Sequence, residues 1–189
     1  MSAVIVTTGA VAGGLFERMV ACHPRLREQG IQVETATGCG SASSKARTIL
    51  VLEGEPVAVV GDAETLTPDV MAEQRGLMEY LVEEAAPRSE WRVLLIAPEI
   101  ATLLFRNEPL LRSLLPVEPS FEQLIRGRYE PNRVLAELFA QAGVQPFPAA
   151  LLRRLAQADL SSLWAAPELR PLEEFLLEKS AAQQPGTAP

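Results

Sequence analysis

Asp62 and Glu64 stand one residue apart, directly after the apolar β-branched run Val57-Ala58-Val59-Val60 and Gly61. A run of this kind that stops abruptly reads as a buried parallel strand, and its C-terminal end delivers both acids to the rim of a sheet. In open α/β sheets that rim is where ligands bind. Two carboxylates about 4 Å apart repel by roughly 4 kcal/mol at an effective dielectric of about 20. A pair fixed there by the backbone must spread apart, hold a proton or hold a cation, and an oxygen-only donor set suits Mg²⁺ or Mn²⁺. The same two residues can equally be independent acids on a solvated loop.

A second candidate lies upstream. Thr37-Gly38-Cys39-Gly40-Ser41-Ala42-Ser43-Ser44 is a small-residue stretch running into Lys45, Arg47 and the apolar Ile49, Leu50 and Leu52. A loop of this type entering a helix offers backbone N–H groups and a positive dipole end to an anion. Gly38, Gly40, Ser41 and Lys45 are therefore candidate phosphate-binding positions. The stretch matches neither G-x-x-x-x-G-K-[ST] nor G-x-G-x-x-G, and an ordinary loop with a serine N-cap explains it as well. Cys39 sits where a helix start can lower a thiol pKa, although an inert small residue fits the position too. The single histidine, His23, excludes a multi-histidine metal site within this chain. It precedes Pro24 near a predicted helix end, so it reads as a surface or capping residue.

Four strand-then-helix units must position these residues. Ala3–Thr7 is strand one. Leu15, Phe16, Met19 and Val20 follow at helical spacing, with Gly13 and Gly14 either weakening the first turn or admitting a close approach. Ile31–Ala36 is strand two, and Gly54 fits the C-terminal cap of the helix that follows it. Val57–Val60 is strand three. Thr67-Pro68 opens a helix to about Glu84, for which Val70, Gln74, Leu77, Met78 and Leu81 form a core stripe. Trp91–Ala97 is strand four, and Pro98-Glu99-Ile100 begins a helix with Leu103, Leu104 and Phe105. The succession predicts an α/β fold: a four-stranded, mostly parallel, Rossmann-like sheet with helices on both faces.

From about Asn107 the pattern changes to Pro-punctuated, Leu-rich segments at 110–115, 121–125, 134–139, 151–155 and 172–177, all reading as helices. The expected organisation is an α/β domain over 1–106, a helical C-terminal part over 107–179 and a disordered tail over 180–189. Trp91 and Trp164 read as packing residues, because neither sits in a basic, aromatic-interleaved run.

A chain of 189 residues can bury about 70% of its extended surface without a staple. Its net charge of −7 argues against broad non-specific binding to nucleic acid, while leaving room for a metal-bridged phosphate. No apolar run reaches the roughly 18 residues of a membrane span, so no membrane partner is expected. Met1–Val6 lacks a basic leader and reads as the first strand. Cys22 and Cys39 form no disulfide framework, which makes a cytoplasmic setting the default.

Taken together, the steps Val6-Thr7-Thr8-Gly9, Val60-Gly61-Asp62-Ala63-Glu64-Thr65 and Leu94-Leu95-Ile96-Ala97-Pro98-Glu99-Ile100 resemble the TOPRIM domain, in particular its small stand-alone and OLD-type members. The resemblance covers about Ala3 to Phe105 and not the helical part. In that family an opening strand ends in Glu-Gly, a later strand ends in Asp-x-Asp or a variant, and the acids bind divalent metal for phosphodiester chemistry. It implies Asp62 and Glu64 as catalytic and metal-binding residues, Glu99 as a further metal ligand, and Mg²⁺ or Mn²⁺ as cofactor. The implied partner is nucleic acid or another phosphate-bearing substrate.

The chain departs from the pattern at the first acid, whose place is taken by Thr8. Ala10, Val11 and Ala12 occupy the region of the next acid, and Ala101 stands where some relatives have a further Glu. Three functions therefore stay open. One is a metal-dependent phosphodiester or phosphoryl-transfer enzyme of the nuclease type, with Glu99 or Asp69 completing the ion's shell. Another is a non-catalytic binding or regulatory module, whose C-terminal helices dock a protein partner or a second copy. The last is a small-molecule or nucleotide binder using the glycine-bearing stretch 8–14 on a Rossmann-like sheet.

Overall fold

Strands β1 (Val4–Thr8), β2 (Gln32–Ala36), β3 (Val57–Asp62) and β4 (Trp91–Ile96) form one sheet, in the order β2-β1-β3-β4. Every pairing is parallel, with Val4 beside Gln32 and Val57, and Val57 beside Trp91. The computed structural model describes residues 3–87 and 89–181, except for the side chains of Ser180 and Ala181. Parallel pairing demands a crossover between successive strands. Helices α1 (Ala10–Cys22), α2 (Cys39–Leu52) and α3 (Pro68–Ala85) supply those crossovers. Gly9, at φ 79°, makes the sharp step from β1 into α1, and Gly54, at φ 67°, donates to Ile49 O as α2 ends.

The central strands are apolar on both sides because both faces are covered. Val4, Val6, Val57, Val59, Val93 and Leu95 pack under α2 and α3, against Ala42, Ala46, Ile49, Met78 and Val82. The intervening residues Ile5, Ala58, Val60 and Ile96 face the other way, onto Leu15, Phe16 and Met19 of α1. That second layer continues without a break into the C-terminal half. Its elements are α4 (Thr102–Arg106), α5 (Glu108–Leu114), α6 (Phe121–Arg126), α7 (Pro131–Gln141), α8 (Ala149–Leu155), two 3₁₀ turns (Ser161–Ala165 and Pro167–Leu169) and α9 (Arg170–Ala181). Leu104, Leu138, Phe139, Leu151, Leu155, Leu172 and Leu176 share one buried cluster with the sheet. Lys179 on α9 bonds Glu90, just ahead of β4, at 2.9 Å.

The five Leu-rich segments are helical, as their periodicity predicts, and the four strands fall where their β-branched runs place them. Other expectations need correction. On α3 the buried residues are Met78 and Val82, whereas Val70 is 41% and Leu77 60% exposed. The helix turns a face one step round toward the sheet and leaves most of the predicted stripe in solvent. His23 is buried at 5% exposure and is no surface residue. Its Nδ1 accepts from the backbone N–H groups of Arg25 and Leu26, so it does cap the turn. The proton is thereby left to Nε2, which donates to Glu173 Oε1 at 3.0 Å. Trp164 packs edge-on against the His23 ring and donates to Met19 O. Gly13 and Gly14 serve packing inside the chain: a Cβ would strike the Thr35 methyl at the first and Leu152 at the second. The expected disordered tail is shortened by α9, which runs to Ala181; residues 182–189 lie outside the described residues. No helix among the described residues is long and apolar enough to cross a membrane.

Candidate functional site

In a sheet ordered β2-β1-β3-β4, the chain leaves β1 in one direction and returns past it to β3. The gap between the carboxyl ends of β1 and β3 is therefore the switch point, where open α/β sheets hold their ligands. Register pairs Thr7 with Val60, which sets Thr8 beside the last residues of β3. Thr8 Oγ1 donates to Asp62 Oδ2 at 3.2 Å, and Ile100 N–H donates to Asp62 Oδ1 at 2.6 Å. Asp62 is thus gripped from the first strand on one side and from the start of the segment leading into α4 on the other.

Glu64 follows at φ 54°, the one positive φ outside glycine among the described residues. A side chain in that region is disfavoured by contact with its own backbone. The conformation is held by Glu64 N–H donating to Pro98 O at 2.7 Å, while Ala63 N–H donates to Ile96 O at 3.0 Å. The side chain of Glu64 is exposed. Glu99, half-buried, accepts from Asn132 twice: from Nδ2 at 2.6 Å and from the backbone N–H at 3.2 Å. Asn132 is in the first turn of α7, so the helical half supplies part of the rim.

The electrostatics are those of acids crowded without a counter-charge. Burial pushes the Asp62 carboxyl above its ordinary range; the hydrogen bonds from Ile100 and Thr8 pull it part of the way back, and Glu64 pushes it up again. Burial likewise raises Glu99 against the pull of Asn132, and the charges of Asp62 and Glu64 add to the rise. No cationic side chain contributes to either shift. Cys39 is the reverse of the activated thiol that its place at a helix start suggests. Burial, then Asp62 and Glu64, push its pKa up, and Sγ donates to Asp62 O at 3.6 Å.

Two clefts of about 240 Å³ each open beside Asp62. One is lined by Thr8, Gly9, Ile100, Asn132 and Phe147. The other lies between α2 and α3 and is lined by Cys39, Gly40, Ser43, Glu64, Gln74 and Leu77, with Asp62 common to both. Asp62, Glu64 and Glu99 are thus brought within electrostatic reach of one another, and Gly40 lines a cleft with the first two. Ser41 and Lys45 are engaged elsewhere. The Ser41 hydroxyl accepts from the Thr37 and Gly38 N–H groups, and Gly38 is the residue that precedes α2, so no serine occupies the N-cap. Lys45 Nζ bonds Glu34 Oε2 at 2.6 Å and Thr35 O at 3.0 Å. Asp69 is exposed in the first turn of α3, where a carboxylate answers the helix dipole. Among the described residues, no three His, Cys, Asp or Glu side chains are arranged to hold a metal ion by themselves.

Similar solved structures show the fold. The C-terminal region of the Burkholderia pseudomallei OLD protein matches with a TM-score of 0.55 at 16% identity, covering 95% of this chain and 96% of that one. The C-terminal region of the Xanthomonas campestris pv. campestris OLD protein matches with a TM-score of 0.56 at 14% identity, covering 96% and 95%. The chain has the fold of the OLD C-terminal region. No protein-family model and no curated protein matches the sequence. The match bears out the parallel α/β architecture expected from the strand-then-helix succession, and the OLD-type likeness carried by three short motifs. It also extends the likeness beyond Phe105, since the match runs through the helical half that those motifs did not reach. Sequence reading missed Asn132 as a rim residue. Nothing local marks it, because its partner Glu99 is 33 residues away.

Proposed function

We propose that the rim binds a divalent cation, Mg²⁺ or Mn²⁺, on Asp62 and Glu64 with Glu99 beside them, and uses it to hold a phosphate-bearing ligand. Nucleic acid is the ligand class favoured by the resemblance to metal-dependent nucleases. Binding of that ligand, without efficient phosphodiester hydrolysis, is the activity. The observation that carries this reading is the Thr8–Asp62 hydrogen bond: the position where the family resemblance implies an acid carries a hydroxyl already committed to the neighbouring carboxylate.

The donor set fits a hard cation held loosely. All three acids offer oxygen; burial raises Asp62 with a push from Glu64, burial raises Glu99 with pushes from Asp62 and Glu64, and no protein cation offsets either. The lack of a three-residue cage among the described residues matches an ion that takes one or two carboxylates and fills its shell with water and phosphate oxygens. Such an ion supplies Lewis acidity at a phosphate oxygen. The chain's own part is to fix Asp62 through Thr8 and Ile100 and to fix Glu99 through Asn132. These contacts leave Glu64, on its constrained backbone, as the exposed acid of the three.

Calorimetry with Mn²⁺ tests the binding. Weak association is expected in the native chain and none in the double variant Asp62→Asn, Glu64→Gln. Incubation with labelled DNA and RNA tests turnover. Mn²⁺-dependent cleavage by the native chain that disappears in the double variant would overturn the non-catalytic half of the reading. Cleavage that persists in the double variant would remove these two residues from the site.

A second reading, a module that docks a partner through its C-terminal part, rests on α6 and the turn that follows it. No residue of that helix is buried, and Phe121, Ile125 and Tyr129 are 79%, 41% and 58% exposed at four-residue intervals. Light scattering of the full chain against Phe121→Glu with Ile125→Glu checks it. A native oligomer reduced to a monomer by the pair would favour this reading.

A further inference from the structure

The cleft between α2 and α3 contains a polar atom that the rest of the chain does not use. Ser43 is 2% exposed, lines the cleft, and its Oγ has no hydrogen-bond partner. Holding a hydroxyl out of water without a partner is unfavourable, so buried polar groups are almost always paired. The cleft around it has an ordered chemistry. Leu77, Met78 and Leu81 of α3 form a hydrocarbon wall, and the small Gly40 and Ser43 of α2 face them. The Ser43 hydroxyl and the Gln74 amide provide hydrogen-bonding edges, and Asp62 and Glu64 close the end nearest the sheet. Leu77, a large apolar side chain that lines the cleft, is 60% exposed.

The geometry points to this cleft as a nucleobase subsite: a flat heteroaromatic ring lies between the α3 leucines and the α2 backbone, its edge bonds Ser43 Oγ and Gln74, and its phosphate points toward Asp62 and Glu64. The inference rests on the proposed cation-and-phosphate role of those two acids and adds the group that the same ligand presents alongside. A volume of about 240 Å³ lies below the range of about 300–1,000 Å³ typical of drug-sized sites, so it suits a single ring system and not a whole nucleotide. An aliphatic side chain in the same place would leave Ser43 unpaired. A free anion would meet the two carboxylates without a cation to bridge them. A neutral ring with donors and acceptors on its rim satisfies both the wall and the edge.

The test uses the full chain and nucleosides alone, without phosphate or metal, followed by amide NMR shifts. Adenosine, guanosine, cytidine and uridine are each titrated, and ribose 5-phosphate with Mg²⁺ is titrated in parallel. Shifts centred on residues 40–43 and 74–81 are expected for at least one nucleoside. Ser43→Ala should weaken that binding about three- to tenfold, the worth of one neutral hydrogen bond. Because it deletes an unpaired hydroxyl, the same variant should melt no lower than the native chain. Leu77→Ala, at an exposed position, should weaken binding by a similar factor with the fold intact. Nucleosides that leave 40–43 and 74–81 unmoved would overturn the subsite, and so would nucleoside affinity unchanged in both variants. Ribose 5-phosphate reports separately. Mg²⁺-dependent shifts at the rim without nucleoside shifts would retain the cation reading and remove the subsite; nucleoside shifts without them would do the reverse.

Discussion

Thr8 Oγ1 donates to Asp62 Oδ2 at 3.2 Å, joining the ends of two neighbouring parallel strands 54 positions apart in the chain. A hydroxyl in this place steadies a carboxylate, whereas an acid would repel it. Thr8, at the position where the resemblance implies an acid, is therefore built into the geometry of the carboxylate it sits beside.

Thr8→Val removes the donor and keeps the shape. A hydrogen bond to a charged group is worth about 1.5–3 kcal/mol, and a domain of this size loses about 2–4 °C of Tm per kcal/mol. A drop of several degrees at pH 7 is expected by calorimetry. Thr8→Glu should be destabilised more strongly in metal-free buffer and recover on addition of Mn²⁺, with tighter Mn²⁺ binding than the native chain. A recovery equal to that of Thr8→Val would show that the new carboxylate does not share the ion.

Asp62 carries a pH signature. Its folded pKa is raised, first by burial, so the folded state resists ionising it. Linkage then makes its contribution favourable below the unfolded pKa and lost as pH rises through the folded one. Asp62→Asn removes the charge and leaves an acceptor for Ile100 N–H. The variant should therefore melt higher than the native chain at pH 7. Melting curves in metal-free buffer should show that advantage shrinking as pH falls through the raised folded pKa and gone below the ordinary carboxylate range. An advantage that is flat across pH would mean that Asp62 is solvated.

Asn132→Leu tests whether the helical half holds the rim. It deletes the 2.6 Å amide bond to Glu99 and leaves the weaker backbone one. A loss of about 1.5–3 kcal/mol of stability is expected, the worth of a hydrogen bond to a carboxylate. Pairing the variant with Glu99→Gln should reduce that loss, because a neutral amide suffers less from a missing donor. Denaturant titrations of the two single variants and the double close the cycle.

Much of this architecture could be read from the chain itself. Val4–Thr8 and Val57–Asp62 announce themselves as central strands by carrying β-branched residues on both alternating faces, and the acids mark where the second one ends. The rest depends on partners that local pattern does not specify. Leu77 has the spacing of a core residue, but the orientation of α3 is set by Met78 and Val82 seating on β3 and β4. His23 resembles a surface turn residue until Glu173, 150 positions later, bonds its Nε2 and Trp164 packs on its ring. Glu99 looks like a helix-start acid and becomes a rim residue only because α7 brings Asn132 to it. The backbone twist at Glu64 has no signature in residue type, since glutamate is a poor choice for a positive φ.

Gly127→Ala probes the seam between the two halves. Gly127 follows α6 at φ −63°, a conformation open to any residue, yet a Cβ there would enter the ring of buried Phe105. Overpacking of this kind costs about 1–3 kcal/mol. Loss of that size in a urea titration is expected, with Phe105→Leu in the same chain restoring part of it. No loss would mean that the ring moves freely aside.

The unusual φ at Glu64 sets two selections against each other. Any side chain there forfeits about 1 kcal/mol or more that glycine would keep. A library screened only for heat resistance should accumulate Glu64→Gly early. One screened for retention of ligand should reject it, so the residue that survives each screen reports what the chain is being kept for.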